Sequence, residues 1–151
     1  MRSWLWRSTL AVAIALPALG VAARADAGCS VATLQGQYLV YGTGTLFPPA
    51  FGVTVPSVST VASYSTYFGN GNGEDHVTFA IDGVVQTFLP AVQPFTYTLK
   101  PDCTGTRTVT GGPEFAIYVA SDGEALTEVA TSPAGFAVAT FDKRVGNQDT
   151  Q

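Results

Sequence analysis

The sequence predicts an all-β protein, and within that class an up-and-down antiparallel β-barrel of about eight strands. Three observations carry this. Apolar and small polar residues alternate with period two along most of the chain, and no stretch repeats at the helical period. The composition leans to Thr, Val, Phe, Tyr and Gly at the expense of Lys, Glu and Leu, which favours strands and turns. The links between alternating runs are nearly all of hairpin length, so consecutive strands run antiparallel. A flat meander of this size would expose two edges, and closing it into a barrel removes them. A two-sheet sandwich is the alternative. It usually needs longer crossovers, and only the proline-bracketed residues 48–56 offer one.

The chain opens with Arg2 and Arg7, an apolar run over residues 10–23, and Ala25-Asp26-Ala27 ahead of Gly28. These are the parts of a secretory signal peptide, residues 1–27. The run contains Pro17 and is shorter than the roughly 20 apolar residues of a membrane span. Asp26, three before Cys29, argues against a lipoprotein. Residues 28–145 then form one domain, and residues 146–151 a frayed polar tail. The leader carries three of the seven basic residues and one of the eleven acidic ones, leaving four against ten, net −6. Four scattered cations do not make a polyanion-binding surface, so no nucleic acid is expected as a partner. Electrostatic docking on anionic lipid is disfavoured for the same reason, and no membrane insertion is expected after cleavage. The oligomeric state is left open.

The strands follow in order. "GQYLVYGTGTLF" (36–47) is the first and "SVSTVASYSTYF" (57–68) the second. "GNGNGE" is a turn. "DHVTFAI" (75–81) and "VVQTFL" (84–89) flank Asp82-Gly83, a strong hairpin signal. "PFTYTL" (94–99) and "TRTVT" (106–110) flank a turn that holds a cysteine. "EFAIYVA", "EALTEVAT" and "FAVATFDKR" close the pattern. Phase assigns shared faces to Val77, Phe79 and Ile81, to Phe95, Tyr97 and Leu99, and to Phe115, Ile117 and Val119. In the first strand Tyr38 and Val40 oppose Leu39 and Tyr41, and neither face stands out.

Cys29 and Cys103 are the only cysteines. In an oxidising compartment they are expected to pair and to tie the N-terminus to a turn. The alternatives are two free thiols or an intermolecular bridge.

"CSVATLQGQYLV", "YFGNGNG", "YTLKPDCTGTRTVT" and "TSPAGFAVATFDKR" occur in that order. The chain thereby resembles a group of small exported bacterial proteins. They share a leading Cys, a Leu-x-Gly-x-Tyr strand, a Phe-Asp-Gly-x-Gly-Asn-like turn and a Pro-Asp-Cys-Thr-Gly turn. The resemblance covers most of residues 28–145 and departs from the pattern at Gly69, where Asp is usual. It implies a fold similar to the calycin and allene-oxide-cyclase-like barrels. It implies no activity, and no catalytic residue carries over.

Candidate chemistry is sparse. Gly71, Gly73, Asp75 and Val77 match part of a calcium-binding repeat that works only when stacked, and one copy reads better as a hairpin turn. No metal and no cofactor are expected. His76 is the sole histidine, and its neighbour Asp75 faces the other way in a strand, which disfavours a dyad. No Gly-x-Ser-x-Gly elbow supplies a nucleophile. Glu128 is the one weak catalytic candidate. It shares a face with Leu126 and Ala130. If that face points inward, it places a carboxylate in the barrel, with a raised pKa or a partner such as Arg107. If the opposite face does, Glu128 is solvated. Arg107 could instead pair with Glu114 on the surface.

An eight-stranded interior is filled by side chains or holds one small ligand. Tyr38, Phe79, Ile81, Phe95, Tyr97 and Ile117 are the residues expected to line such a site. The reading is therefore a protein of the periplasm or the extracellular medium that binds a small apolar molecule without catalysis. One alternative is a cofactor-free cyclase or isomerase in which Glu128 moves a proton. Another is an envelope or extracellular interaction module. A cavity of about 300–1,000 Å³ would serve the first two. An inward Glu128 with a polar partner favours the enzyme, and a filled barrel with an exposed apolar patch favours the module.

Overall fold

The structure, a computed structural model, describes residues 28–87 and 90–146. The expected leader and nearly all of the polar tail lie outside the described residues. The strands are β1 (Gln35–Leu46), β2 (Ser57–Phe68), β3 (Asn72–Ile81), β4 (Val84–Val85), β5 (Val92–Leu99), β6 (Thr104–Val109), β7 (Glu114–Val119), β8 (Ala125–Ser132) and β9 (Phe136–Gly146). Every pairing is antiparallel. The first strand, β1, pairs with β2 on one side and with the last strand, β9, on the other. That pairing closes an eight-stranded barrel with β4 as an extra piece, so the protein is a barrel and not a sandwich.

Of the run expected as a strand at residues 84–89, only Val84 and Val85 are in a strand among the described residues, and Phe88 and Leu89 lie outside them. The free side of β3 is shared: β5 occupies it over Asn72–His76, and β4 pairs only with Ala80 and Ile81. The chain must leave β3 to reach β5. The hairpin that starts this run does form. Asp82 and Gly83 both take positive φ (49° and 80°), and Asp82 Oδ1 accepts a hydrogen bond from Val58 N at 2.8 Å.

Burial alternates along the strands as a closed sheet requires. Tyr38 and Val40 of β1 point inward, while Leu39 and Tyr41 are exposed. β2 inverts the usual pattern. Its inward phase is Ser57, Ser59, Val61, Ser63, Ser65 and Tyr67, and its outward phase carries the exposed Val58, Tyr64 and Phe68. Gly42 lies in the inward phase of β1 beside it. A Cβ there would sit 2.6 Å from Thr140 Cγ2 and 2.7 Å from Ala139 O. Glycine thus lets β1 and β9 approach closely where the barrel turns.

The two ends of the barrel differ. One end holds the turns at residues 69–71, 100–103 and 120–124 and is plugged. Leu34, Tyr38, Tyr67, Phe95, Tyr97, Ile117 and Leu126 fill it and are fully or nearly fully buried. Tyr67 is the hub, edge-on to Tyr38, Phe95 and Tyr97 with ring centroids 5.0–5.2 Å away. Chain segments close over it. Tyr97 Oη donates to Val31 O (2.8 Å) and Leu34 O (3.0 Å), and Tyr38 Oη to Gly123 O (2.6 Å). The other end carries the connections at residues 47–56, 82–83, 86–87, 90–91, 110–113 and 133–135.

Cys29 and Cys103 form a disulfide at the plugged end, with Cα atoms 4.9 Å apart. It is compatible with an oxidising environment. Asp102 Oδ1 accepts from Thr104 N (3.1 Å) and Thr104 Oγ1 (2.7 Å), which builds the turn. Cys103 itself, and not Gly105, takes the left-handed backbone, at φ 64°. Gly105 lies within β6, where a Cβ would meet the Thr98 backbone. A non-glycine residue in that conformation costs on the order of 1 kcal/mol, and the crosslink it carries offsets this several times over.

The bridge closes a loop with a sequence separation of 74. Replacing both cysteines by serine should cost about 4 kcal/mol and lower the melting temperature by on the order of 15 °C. Thermal unfolding with and without reductant measures this. An unchanged midpoint with both thiols titratable would contradict it.

Candidate functional site: a cavity on a charged floor

Between the plug and the open end the barrel is hollow. The cavity measures about 160 Å³ and reaches the end where Pro90 and residues 110–113 form its rim. Its walls are apolar: Val40, Val61, Val77, Phe79, Phe115, Phe136 and Val138, with Phe51 reaching in from the β1–β2 loop. Phe51 sits at φ 50° and packs its ring 5.5 Å from Phe79 and 5.1 Å from Phe136. The space exists because the β2 wall is built of serines. Ser63 lines it, and Ser59 and Ser65 are too small to fill it.

The floor is ionic. Arg107 on β6, Glu128 on β8 and Asp75 on β3 all point inward and all line the cavity. Arg107 is 4 % exposed and Glu128 0 %. Arg107 Nη1 donates to Glu128 Oε2 at 2.6 Å, and Nη2 donates to Asp75 Oδ2. Tyr67 Oη donates to Glu128 Oε1 (3.0 Å), and Ser65 Oγ to Asp75 Oδ1 (2.6 Å). The guanidinium lies 4.2 Å from the centre of the Phe95 ring and 5.4 Å from that of Phe115. Asp142 on β9 is also fully buried, and Thr140 Oγ1 donates to its Oδ1 at 2.9 Å. Its Oδ2 and Arg107 Nε have no hydrogen-bond partner among the described residues.

One cation thus sits among three carboxyl groups inside the barrel. Burial works against the charge on Arg107, but Glu128 and Asp75 more than offset this and keep the guanidinium protonated. Burial raises the Glu128 carboxyl above the ordinary range although Arg107 pulls it back. Burial, reinforced by the charge of Glu128, holds Asp142 well above the usual carboxylate range. Tyr67 is raised well above the ordinary phenol value, first by burial and then by Glu128. The arrangement can hold a proton on a buried carboxyl at the base of an apolar cavity.

The expected site residues divide between the two halves of the barrel. Phe79 lines the cavity, whereas Tyr38, Phe95, Tyr97 and Ile117 belong to the plug, and Ile81 packs half-buried against the core. Glu128 is inward and pairs with Arg107. Arg107 does not pair with Glu114 on the surface, because its phase in β6 faces the interior. Asp75 faces inward and His76 outward; the His76 side chain is 57 % exposed and lies 3.8 Å from Glu74. Among the described residues no three His, Cys, Asp or Glu side chains converge to hold a metal ion. Sequence reasoning missed Asp142 altogether and weighed Asp75 only as part of the 71–77 turn and as a neighbour of His76, never as a partner of Arg107. A usable signal was present, since Asp142 is in phase with Phe136 and Val138, and Asp75 with Phe79. No family model matches this chain, and no curated protein is similar to it in sequence.

Arg107→Met leaves buried carboxylates without their cation, and should cost about 3–5 kcal/mol at neutral pH; urea unfolding measures it. Asp142 makes stability depend on pH. Its folded pKa lies well above that of an unfolded-chain aspartate, so the folded state binds the extra proton between the two values. That stabilisation is full below the unfolded value and is lost as pH rises through the folded one. Wild type should therefore be more stable near pH 5 than near pH 8, and Asp142→Asn should flatten this slope and gain at the alkaline end. Identical slopes for the two proteins would refute this assignment.

Proposed function

We propose that this protein is an exported binding barrel whose cavity takes one small, largely apolar molecule and performs no chemistry on it. The observation that carries the reading is a cavity of about 160 Å³ with valine and phenylalanine walls at the accessible end of a barrel plugged at the other. Apolar cavities of about 150 Å³ hold a molecule the size of benzene. The volume lies below the roughly 300–1,000 Å³ of drug-sized sites, so the occupant is about one ring in size. Export is supported by the secretory character of residues 1–27 and by the disulfide.

A cofactor-free cyclase or isomerase is the second reading. It is favoured by Glu128, a cavity-lining carboxyl whose burial raises its pKa, the state a general acid near neutral pH requires. An interaction module is the third. Its surface would be the barrel wall where exposed Leu39 lies opposite Tyr64, and exposed Tyr41 opposite Phe141.

The test is native mass spectrometry of protein taken from the export fraction of its own host, followed by titration with ring-sized neutral compounds. A co-purifying small molecule is expected. Val138→Phe should fill the cavity, lower affinity at least about tenfold and hold or raise the melting temperature. A clean apo mass with no binder in the panel would sink the reading.

A further inference from the structure

We propose that the cavity selects a cationic occupant, a small protonated amine attached to a single ring or a short apolar group. This rests on the binding reading above and specifies the chemistry of what is bound. Three observations point to it. First, one guanidinium faces three carboxyl groups in the interior, and among the described residues no other lysine or arginine lines the cavity. If one carboxyl keeps its proton, two carboxylates still face one cation. This imbalance is buried, where a compensating charge is worth far more than at the surface.

Second, the guanidinium is already committed. Nη1 is held by Glu128 and Nη2 by Asp75, its plane lies against Phe95, and Nε is sealed away without an acceptor. An incoming anion would have to compete with two carboxylates for the only cation and would meet their charge as well. An ammonium instead meets oxygens. Asp75 and Glu128 line the cavity, and each of their oxygens accepts one hydrogen bond while having lone-pair capacity for a second. Asp142, buried with Oδ2 unpartnered, adds negative potential from β9.

Third, the wall suits the rest of such a molecule. Phe51, Phe79, Phe115 and Phe136 supply ring faces and edges that accept an apolar group and tolerate a nearby cation. Ser63 and Thr140 line the cavity with hydroxyls that can accept a remaining ammonium hydrogen.

The experiment is calorimetric titration of the folded wild-type protein at neutral pH with three ligands of one shape: benzylamine, benzyl alcohol and benzoate. Benzylamine should bind about tenfold or more tighter than benzyl alcohol, because its contact is charge-assisted, and benzoate should bind weakest. Glu128→Gln and Asp142→Asn should each narrow the gap between amine and alcohol, read as the ratio of the two affinities in the same variant. The wild-type ranking decides the matter alone if either variant fails to fold. Benzyl alcohol equal to benzylamine, or benzoate the tightest, would overturn the cationic preference and leave the binding reading standing. Binding of none of the three would remove both.

Discussion

Arg107 is buried at the centre of the barrel, and a buried guanidinium persists only where carboxylates and hydrogen bonds replace the water it has lost. Its two terminal nitrogens reach Glu128 on β8 and Asp75 on β3, strands that are not its neighbours in the sheet. The ion pairs therefore cross the interior and join separate walls. Tyr67 from β2 and Ser65 from the same strand complete the carboxylates' hydrogen bonds. Such a network contributes little net stability over apolar packing, since desolvation consumes much of the Coulomb gain. Its consequence is specificity. A register slip of one residue in β3, β6 or β8 would turn a charge outward and strand its partner.

The same network divides the barrel. Toward the disulfide, Tyr67 with Tyr38, Phe95 and Tyr97 edge-on around it, together with Leu34, Ile117 and Leu126, packs the interior solid. Toward the other end the serine face of β2 withholds side-chain volume, and a cavity remains. The charged floor lies between these halves. A guanidinium stacked on Phe95 belongs to the plug on one side and to the cavity on the other. In the proposed binding reading, structural anchoring and ligand discrimination would draw on the same side chains.

The disulfide and the charged network act at different levels. The bridge limits the unfolded chain and holds the N-terminal segment over the plugged end, where Val31 and Leu34 accept from Tyr97. It does not touch the cavity. The network shapes the interior and makes it sensitive to pH through Glu128 and Asp142. Cys103 has no free thiol.

Sequence alone determined the barrel, the hairpins and the staple, because these rest on local signals: period-two alternation, turn residues such as Asp82-Gly83, and a single pair of cysteines. It also named Glu128 and Arg107 as conditional partners. Tertiary structure decided the rest. The face of β8 could not be read from "EALTEVAT", where both phases carry apolar and polar residues, and closure onto β7 and β9 selected the one with Glu128 inside. β2 could not be read from hydrophobicity, since its apolar phase faces out and its serines face in. Asp75 read as part of a turn and a strand end, Arg107 fitted either an interior or a surface partner, and Asp142 did not stand out, because charge in a short strand normally means water. Only the closed barrel brings them within reach of one another, and mutual neutralisation across a sheet depends on distances that no local pattern encodes.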